Sequence, residues 1–433
     1  MLLSCLFGLL SVVALSASAT ARVGDCVLDV TAFGAVGDGR TLNTAAVQRA
    51  FQAAVARGPG CTVLFPSAAG AAGAVFLTGP LNLTSHTTVE VAAGATLRFP
   101  ANRTLHPKIF DPFWGGLRYQ PLLFCEHGCP GVALAGGGVI DGDGPNWWPA
   151  KPSGMKPPPG GFSSIPPVLF GCEGCDGLRI TGVTVQACPF VCLHAGNSTD
   201  VTVSGITVTN PIDSPNTACM YLDSVVNAHV TNSTFACGDD HITVLAITRR
   251  TENVVVEKSL FLHGQGLTIG SQVNEGLRNV TYRDIVMKGA LTGIRMKAQR
   301  AAGGLVEGLV YENLELRDVG LMITAELNFQ HTPNVSANPP RINDVLIRNV
   351  SGWGDLAGYI VCLPESPCTG WRLENVFPEA TSEVVLPYHC EHFSGTCTGC
   401  GAWPQFCQGM TALDAPGAAT RRGGALGLPV QRP

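Results

Sequence analysis

The stretch Asp176-Gly-Leu-Arg-Ile-Thr-Gly-Val-Thr-Val185 carries the fold. Apolar residues alternate with polar ones, a glycine interrupts the run, and a second alternating run follows, which is the pattern of two half-buried strands joined by a turn. The phrase returns as TDVTVSGITVT, VNAHVTNSTF, ENVVVEKSLF, RNVTYRDIVM, EGLVYENLEL, NDVLIRNVSG and TGWRLENVFP. Its starts fall at Asp176, Asp200, Asn227, Asn253, Asn279, Gly308, Asn343 and Gly370, mostly 24 to 29 residues apart, with one longer insertion holding HTPNVSANPPR. A repeat of this length made of short strands without a helical period predicts a solenoid whose turns lie parallel to one another. The expected fold is all-β, a right-handed parallel β-helix over residues 22–385. A β-sandwich would supply the strands but not their mutual likeness.

A solenoid exposes an unpaired strand edge at each end. The segment Thr44 to Ala56 places Ala46, Val47, Ala50, Phe51 and Ala54 on one helical face, with Asn43 or Thr44 as N-cap, and is expected to cover the N-terminal end as a capping helix. Residues 386–409, with four cysteines between Cys390 and Cys407, are expected to close the other end. The tail 410–433 has the composition of a disordered segment.

Outside the repeat, the first 21 residues, MLLSCLFGLLSVVALSASATA, read as a secretory signal peptide, so a secreted location, extracellular or in a cell wall, is expected. Without Cys5 the 17 cysteines become an even set, for which disulfides are the first reading. The close pairs Cys125/Cys129, Cys172/Cys175 and Cys188/Cys192 have spacings that zinc also uses, but secretion favours disulfides. Sequons at Asn82, Asn102, Asn197, Asn232, Asn279, Asn334 and Asn349 fit a glycoprotein. Charged residues make up only 14% of the chain and form no basic stripe, so nucleic acid is not an expected partner. No later apolar run reaches the roughly 18 residues of a membrane span. A monomer without cofactor or metal is expected.

Within the repeat, Phe235-Ala-Cys-Gly-Asp-Asp-His241 sets two adjacent carboxylates into an apolar run. Burying a carboxylate costs several kcal/mol, to the order of magnitude, unless it is paired, hydrogen-bonded or protonated. Such a doublet is either an ion-pair site or a tuned acid/base site. Together with Asp29-Val-Thr-Ala-Phe-Gly-Ala-Val-Gly-Asp38, Ser214-Pro-Asn-Thr217, Gly266-Leu-Thr-Ile-Gly-Ser271 and Gly293-Ile-Arg-Met-Lys297, taken in chain order, Gly238-Asp-Asp240 resembles the polygalacturonases of glycoside hydrolase family 28. The resemblance runs from about Val27 to Val376. It implies an inverting acid/base hydrolysis of a galacturonosyl bond, in which one carboxylic acid protonates the leaving oxygen and other carboxylates activate a water. By this resemblance Asp239 is the general acid and Asp240 a base. Like charges side by side raise one of the two pKa values, which keeps one member protonated.

Arg295 and Lys297, two apart on a strand, share a face and are expected to bind the substrate carboxylate. Asn216, His194 and Gln265 are further expected substrate contacts, and Trp147 and Trp148 either stack a sugar or pack under the loop from Lys151 to Pro167. Two positions depart from the family pattern. Ala218 stands where an Asp is usual, with Tyr221 at the next acid, and Gln265 stands where a His is usual. His263 and His241 are candidates to assist in proton transfer, and an Asp restored at 218 is expected to raise a weak activity. Cys219 and Cys237 are expected to form a disulfide beside the site. The leading expectation is a secreted glycoside hydrolase acting on pectin-type, galacturonic-acid-rich polysaccharide. The alternative is a catalytically weak or inactive β-helix that binds acidic polysaccharide. Calcium-dependent elimination lacks a clear acidic metal cluster here.

Overall fold

Each turn of the repeat begins on a residue with left-handed backbone: Gly177, Asp200, Asn227, Asn253, Asn279, Gly308, Asp344 and Gly370 all have φ between 52° and 73°. Only Gly, Asn and Asp adopt this conformation readily, which explains their recurrence. Two starts read from the pattern, Asp176 and Asn343, therefore move by one residue. The computed structural model describes residues 26–67, 73–111, 116–125, 128–148, 165–331, 337–381, 388–400 and 407–413. The expected signal peptide, Asn334, residues 151–164 of the loop and residues 414–433 lie outside them.

Successive turns stack in register, and every long pairing is parallel. Val203 faces Val230, then Val256, Tyr282, Tyr311 and Ile347, one per coil. All six are fully buried, so this row forms one wall of a core that runs along the axis. The Tyr282 and Tyr311 rings stack at 5.1 Å. Parallel pairing throughout the two large sheets excludes the sandwich: the chain is a parallel β-helix, with one small antiparallel pair, Lys108–Asp111 and Gly116–Tyr119, beside it. Its turns are tied by side-chain ladders, in which Asn227 donates to Asp200, Asn253 to Asn227 and Asn279 to Asn253 at 3.0–3.1 Å. A second ladder runs Asn375, Asn349, Asn313, Asp284. Two sequon asparagines, Asn279 and Asn349, donate within these ladders.

A second parallel sheet contains Leu193–Gly196, Met220–Asp223, Ile242–Leu245, Leu267–Ile269, Thr292–Lys297 and Leu321–Glu326. One row of it, Leu193, Met220, Ile242, Leu267, Ile294 and Ile323, is buried in the core. Strand alternation therefore turns the next row, His194, Tyr221, Thr243, Thr268, Arg295 and Thr324, to the outer face.

The helix spans Thr44–Arg57 and buries Ala46, Val47, Ala50, Phe51 and Ala54, packing against Val27–Asp29, Thr62–Phe65 and Leu81–Asn82. Asn43 occupies the N-cap position without a side-chain capping bond. Its amide instead donates to the carbonyls of Val36, Thr41 and Leu77. At the other end Tyr388–Glu391 and Phe393–Thr398 add strands to the two sheets. The expected tail from 410 opens with a strand, Met410–Ala412, paired with Gly395 to Cys397.

Disulfides join Cys26/Cys61, Cys125/Cys129, Cys172/Cys175, Cys188/Cys192, Cys362/Cys368, Cys390/Cys407 and Cys397/Cys400. The three close pairs are thus disulfides. The expected Cys219–Cys237 bridge is not present, and both residues are buried free thiols. The Cys237 sulfur is directed instead at the carbonyls of Asp239 and Asp240, at 3.2 and 3.3 Å.

Candidate active site

The doublet sits on the turn between strand Thr234–Ala236 of one sheet and Ile242–Leu245 of the other. Gly238 opens the turn because nothing larger fits: a Cβ there would lie 1.9 Å from the Ser214 carbonyl oxygen. The Gly238 amide donates to Thr217 Oγ1 at 3.1 Å. This close approach of two coils is the physical link between Ser214-Pro-Asn-Thr217 and Gly238-Asp-Asp240. It places Asn216 Nδ2 2.9 Å from Asp239 Oδ2.

The surroundings shift the two carboxylates in opposite directions. Asp239 is half-buried, and burial together with the charge of Asp240 raises its pKa above the ordinary carboxylate range. Asp240 is 2% exposed; burial pushes its pKa up, but the charges of Lys297 and Arg295 outweigh that and hold it low. Its oxygens are fully engaged. Oδ1 accepts from Arg295 Nη1 at 2.6 Å and Thr268 Oγ1 at 3.0 Å, and Oδ2 from Lys297 Nζ at 2.6 Å and Thr243 Oγ1 at 3.2 Å. A carboxylate offers about four lone-pair sites, and here four donors meet them.

Arg295 and Lys297 therefore meet Asp240 first. The Phe329 ring lies over both, 5.7 Å from the guanidinium carbon and 5.0 Å from Nζ. Gln265 joins the cluster, its Oε1 accepting from Arg295 Nη1 at 2.5 Å and its backbone N–H donating to the Asp239 carbonyl at 2.8 Å. Two cations, Arg295 and Lys297, thus face the Asp240 carboxylate directly.

Other expected residues stand apart from this cluster. His241 is fully buried, and burial lowers its pKa to about 4. His263 is held through Nε2 to the Asn210 carbonyl at 2.7 Å. His194 lies on the outer row, edge-on to Tyr221 at 6.0 Å and 3.9 Å from Asp223 Oδ2. Trp147 is fully buried between His106 and Tyr119 and so packs in the interior, and Trp148 Nε1 donates to the Cys188 carbonyl.

Ala218 is fully buried in a small apolar cluster with Ile165, Val168, Phe190 and Val191, against which Tyr221 packs. Position 218 is thus enclosed by hydrocarbon. Burial, then the charges of Asp239 and Asp240, raise the Tyr221 pKa well above its ordinary value, so it is a neutral phenol. Sequence reasoning missed Thr243, Thr268 and Phe329. The threonines share the outer row with Arg295, a signal available once the strand register is known; Phe329 carries no local signal.

A model of the glycosyl hydrolases family 28 matches residues 69–391. The chain belongs to this family. An exopolygalacturonase of Zea mays is 25% identical over 385 residues, covering 86% of this chain and 88% of the relative. A polygalacturonase of Cryptomeria japonica is 29% identical over 392 residues, covering 86% and 71%. Among solved structures, an exopolygalacturonase of Thermotoga maritima superposes with a TM-score of 0.73 at 22% identity, covering 87% of this chain and 88% of its own. A polygalacturonase of Erwinia carotovora gives 0.69 at 22% identity, covering 81% and 94%. These superpositions show the shared β-helix of family 28, and the family membership makes the chain a glycoside hydrolase by class.

Proposed function

We propose that the protein hydrolyses glycosidic bonds in a pectin-type polysaccharide rich in galacturonic acid, by inversion. The observation that supports this reading best is the unequal setting of the doublet: Asp240 is held by Arg295 and Lys297, whose charges lower its pKa, whereas Asp239 takes only the Asn216 amide, and burial with the charge of Asp240 raises its pKa. Asp239 is the general acid that protonates the leaving oxygen. Asp240 first serves as counter-ion to Arg295 and Lys297. A sugar carboxylate arriving at the pair draws donors away from Asp240 and frees a lone pair, with which Asp240 takes the proton of the attacking water. Asn216 and Gln265 position the acid and the guanidinium, and His194 borders the site on the outer row. Secretion as a monomer accompanies this reading, in keeping with seven disulfides among the described residues.

A second reading is a β-helix that binds acidic polysaccharide without turning it over. It is favoured by the apolar surroundings of Ala218 and by the four donors on Asp240. Mass analysis after incubation with polygalacturonate separates the readings. Products with saturated ends and the mass of an added water support hydrolysis, unsaturated products mean elimination, and no products leave the binder.

A further inference from the structure

The imidazole of His241 is placed as a peg between the catalytic turn and the coil that follows it. Two carbonyl oxygens, those of Leu262 and His263, each lie 3.0 Å from Nε2, and the amide nitrogen of Gly266 lies 3.1 Å from Nδ1. Carbonyls only accept and an amide N–H only donates, so Nε2 must carry the proton and Nδ1 the lone pair. Both nitrogens are thereby engaged, and the ring does not act as a base. The edge of the ring also meets Phe261 at 5.3 Å. The turn wraps it closely: a Cβ on Gly264 would lie 2.5 Å from Nε2. Gln265 lies inside this pinned turn, between Gly264 and Gly266, with its N–H on the Asp239 carbonyl and its Oε1 on Arg295 Nη1.

We propose that His241 is a positioning residue: it fixes the turn from Leu262 to Gly266 and, through Gln265, sets the guanidinium of Arg295 that receives the sugar carboxylate. The inference rests on the hydrolase reading above for its kinetic readout, but the coupling it claims is a property of the fold. The hydrogen-bonded path from the ring through the pinned turn ends on Arg295 at the Gln265 side chain, so the effect carried along it depends on whether Gln265 is present. A residue that merely filled the coil would act alike in both settings.

The test is a double-mutant cycle on the full chain with His241→Phe, Gln265→Ala and the pair, read as KM and kcat on polygalacturonate and as hydrogen exchange of the Gly266 amide. His241→Phe keeps an aromatic ring, somewhat larger than the imidazole, and loses all three hydrogen bonds. The expected result is a KM raised about tenfold in the Gln265 background and changed less than about twofold once Gln265 is Ala, since coupled neighbours are non-additive. Exchange at Gly266 is expected to speed up in both backgrounds. His241→Asn, whose Oδ1 can accept from the Gly266 amide, should recover part of the KM and serves also if the Phe variant fails to fold. Equal losses in both backgrounds, or unchanged Gly266 exchange, overturn the proposal. Wild type that gives no product from polygalacturonate overturns the hydrolase reading alone, and the cycle is then read on the dissociation constant for a galacturonate oligomer.

Discussion

Ala218→Asp tests how the site is built. It introduces the carboxylate that the resemblance implies for this position, and from the sequence a gain of activity is expected. The structure reverses that expectation. The residue is 0% exposed and touches a cluster whose members, Ile165, Val168, Phe190 and Val191, are 7% exposed or less. A carboxyl group there meets hydrocarbon. Left without a hydrogen-bonding partner it costs about 1 to 3 kcal/mol even when protonated, and the added volume in a packed cluster costs roughly another 1 to 3 kcal/mol. The sum, about 2 to 6 kcal/mol, is a large part of the roughly 5 to 15 kcal/mol that holds a typical domain folded. Ionisation adds to the penalty, so the deficit should grow as pH rises above the ordinary carboxylate range. Guanidinium denaturation followed by circular dichroism at pH 4 and pH 7, with Ala218→Asn as the non-ionising control, measures both parts. The expected outcome is a lowered midpoint for both variants, a pH-dependent further loss for Asp alone, and no rise in turnover. An Asp variant with an unchanged midpoint and a higher turnover would refute the reasoning, because the side chain would then reach the cleft.

Asp239→Asn should abolish product formation while leaving affinity for a galacturonate oligomer within about twofold, since general acid catalysis is worth roughly 10² to 10⁴ in rate; calorimetry and a reducing-end assay check the two halves. Lys297→Ala should weaken oligomer binding and also destabilise the fold, because breaking a buried ion pair from one side costs about 3 to 5 kcal/mol; a variant with unchanged thermal stability would show that Asp240 does not depend on it. Stability should fall on acidification from about pH 6.5 to about pH 4, the span between the ordinary histidine value and that of buried His241. In that window the unfolded chain binds a proton that the folded chain refuses, so protonation favours unfolding, by about 3 kcal/mol at most. His241→Phe should flatten this part of the pH profile. Below it the Asp240 contribution remains, present above the unfolded carboxylate value and lost as pH drops through its depressed folded one.

The sequence by itself determined the coil. A left-handed turn residue is most readily Gly, Asn or Asp, and a strand with one buried face must alternate, so each coil writes its own signature locally. The same logic made the helical face of Ala46, Val47, Ala50, Phe51 and Ala54 legible, and it made Asp239 and Asp240 conspicuous as acids in an apolar run. What the tertiary structure decided lies between coils. Lys297 and Asp240 are 57 residues apart, and their contact depends on which coil stacks on which and on the direction of each side chain. So do the four donors that engage Asp240, the Phe329 ring over the basic pair, and the apolar enclosure of Ala218. The two free thiols show the same limit. Cys219 and Cys237 belong to neighbouring coils, and parity and compartment favoured a bridge, but the Cys237 sulfur turns to the carbonyls of Asp239 and Asp240. Periodicity is set by backbone geometry and each residue's own preferences, whereas the protonation and pairing of a buried group are set by neighbours that only folding brings together.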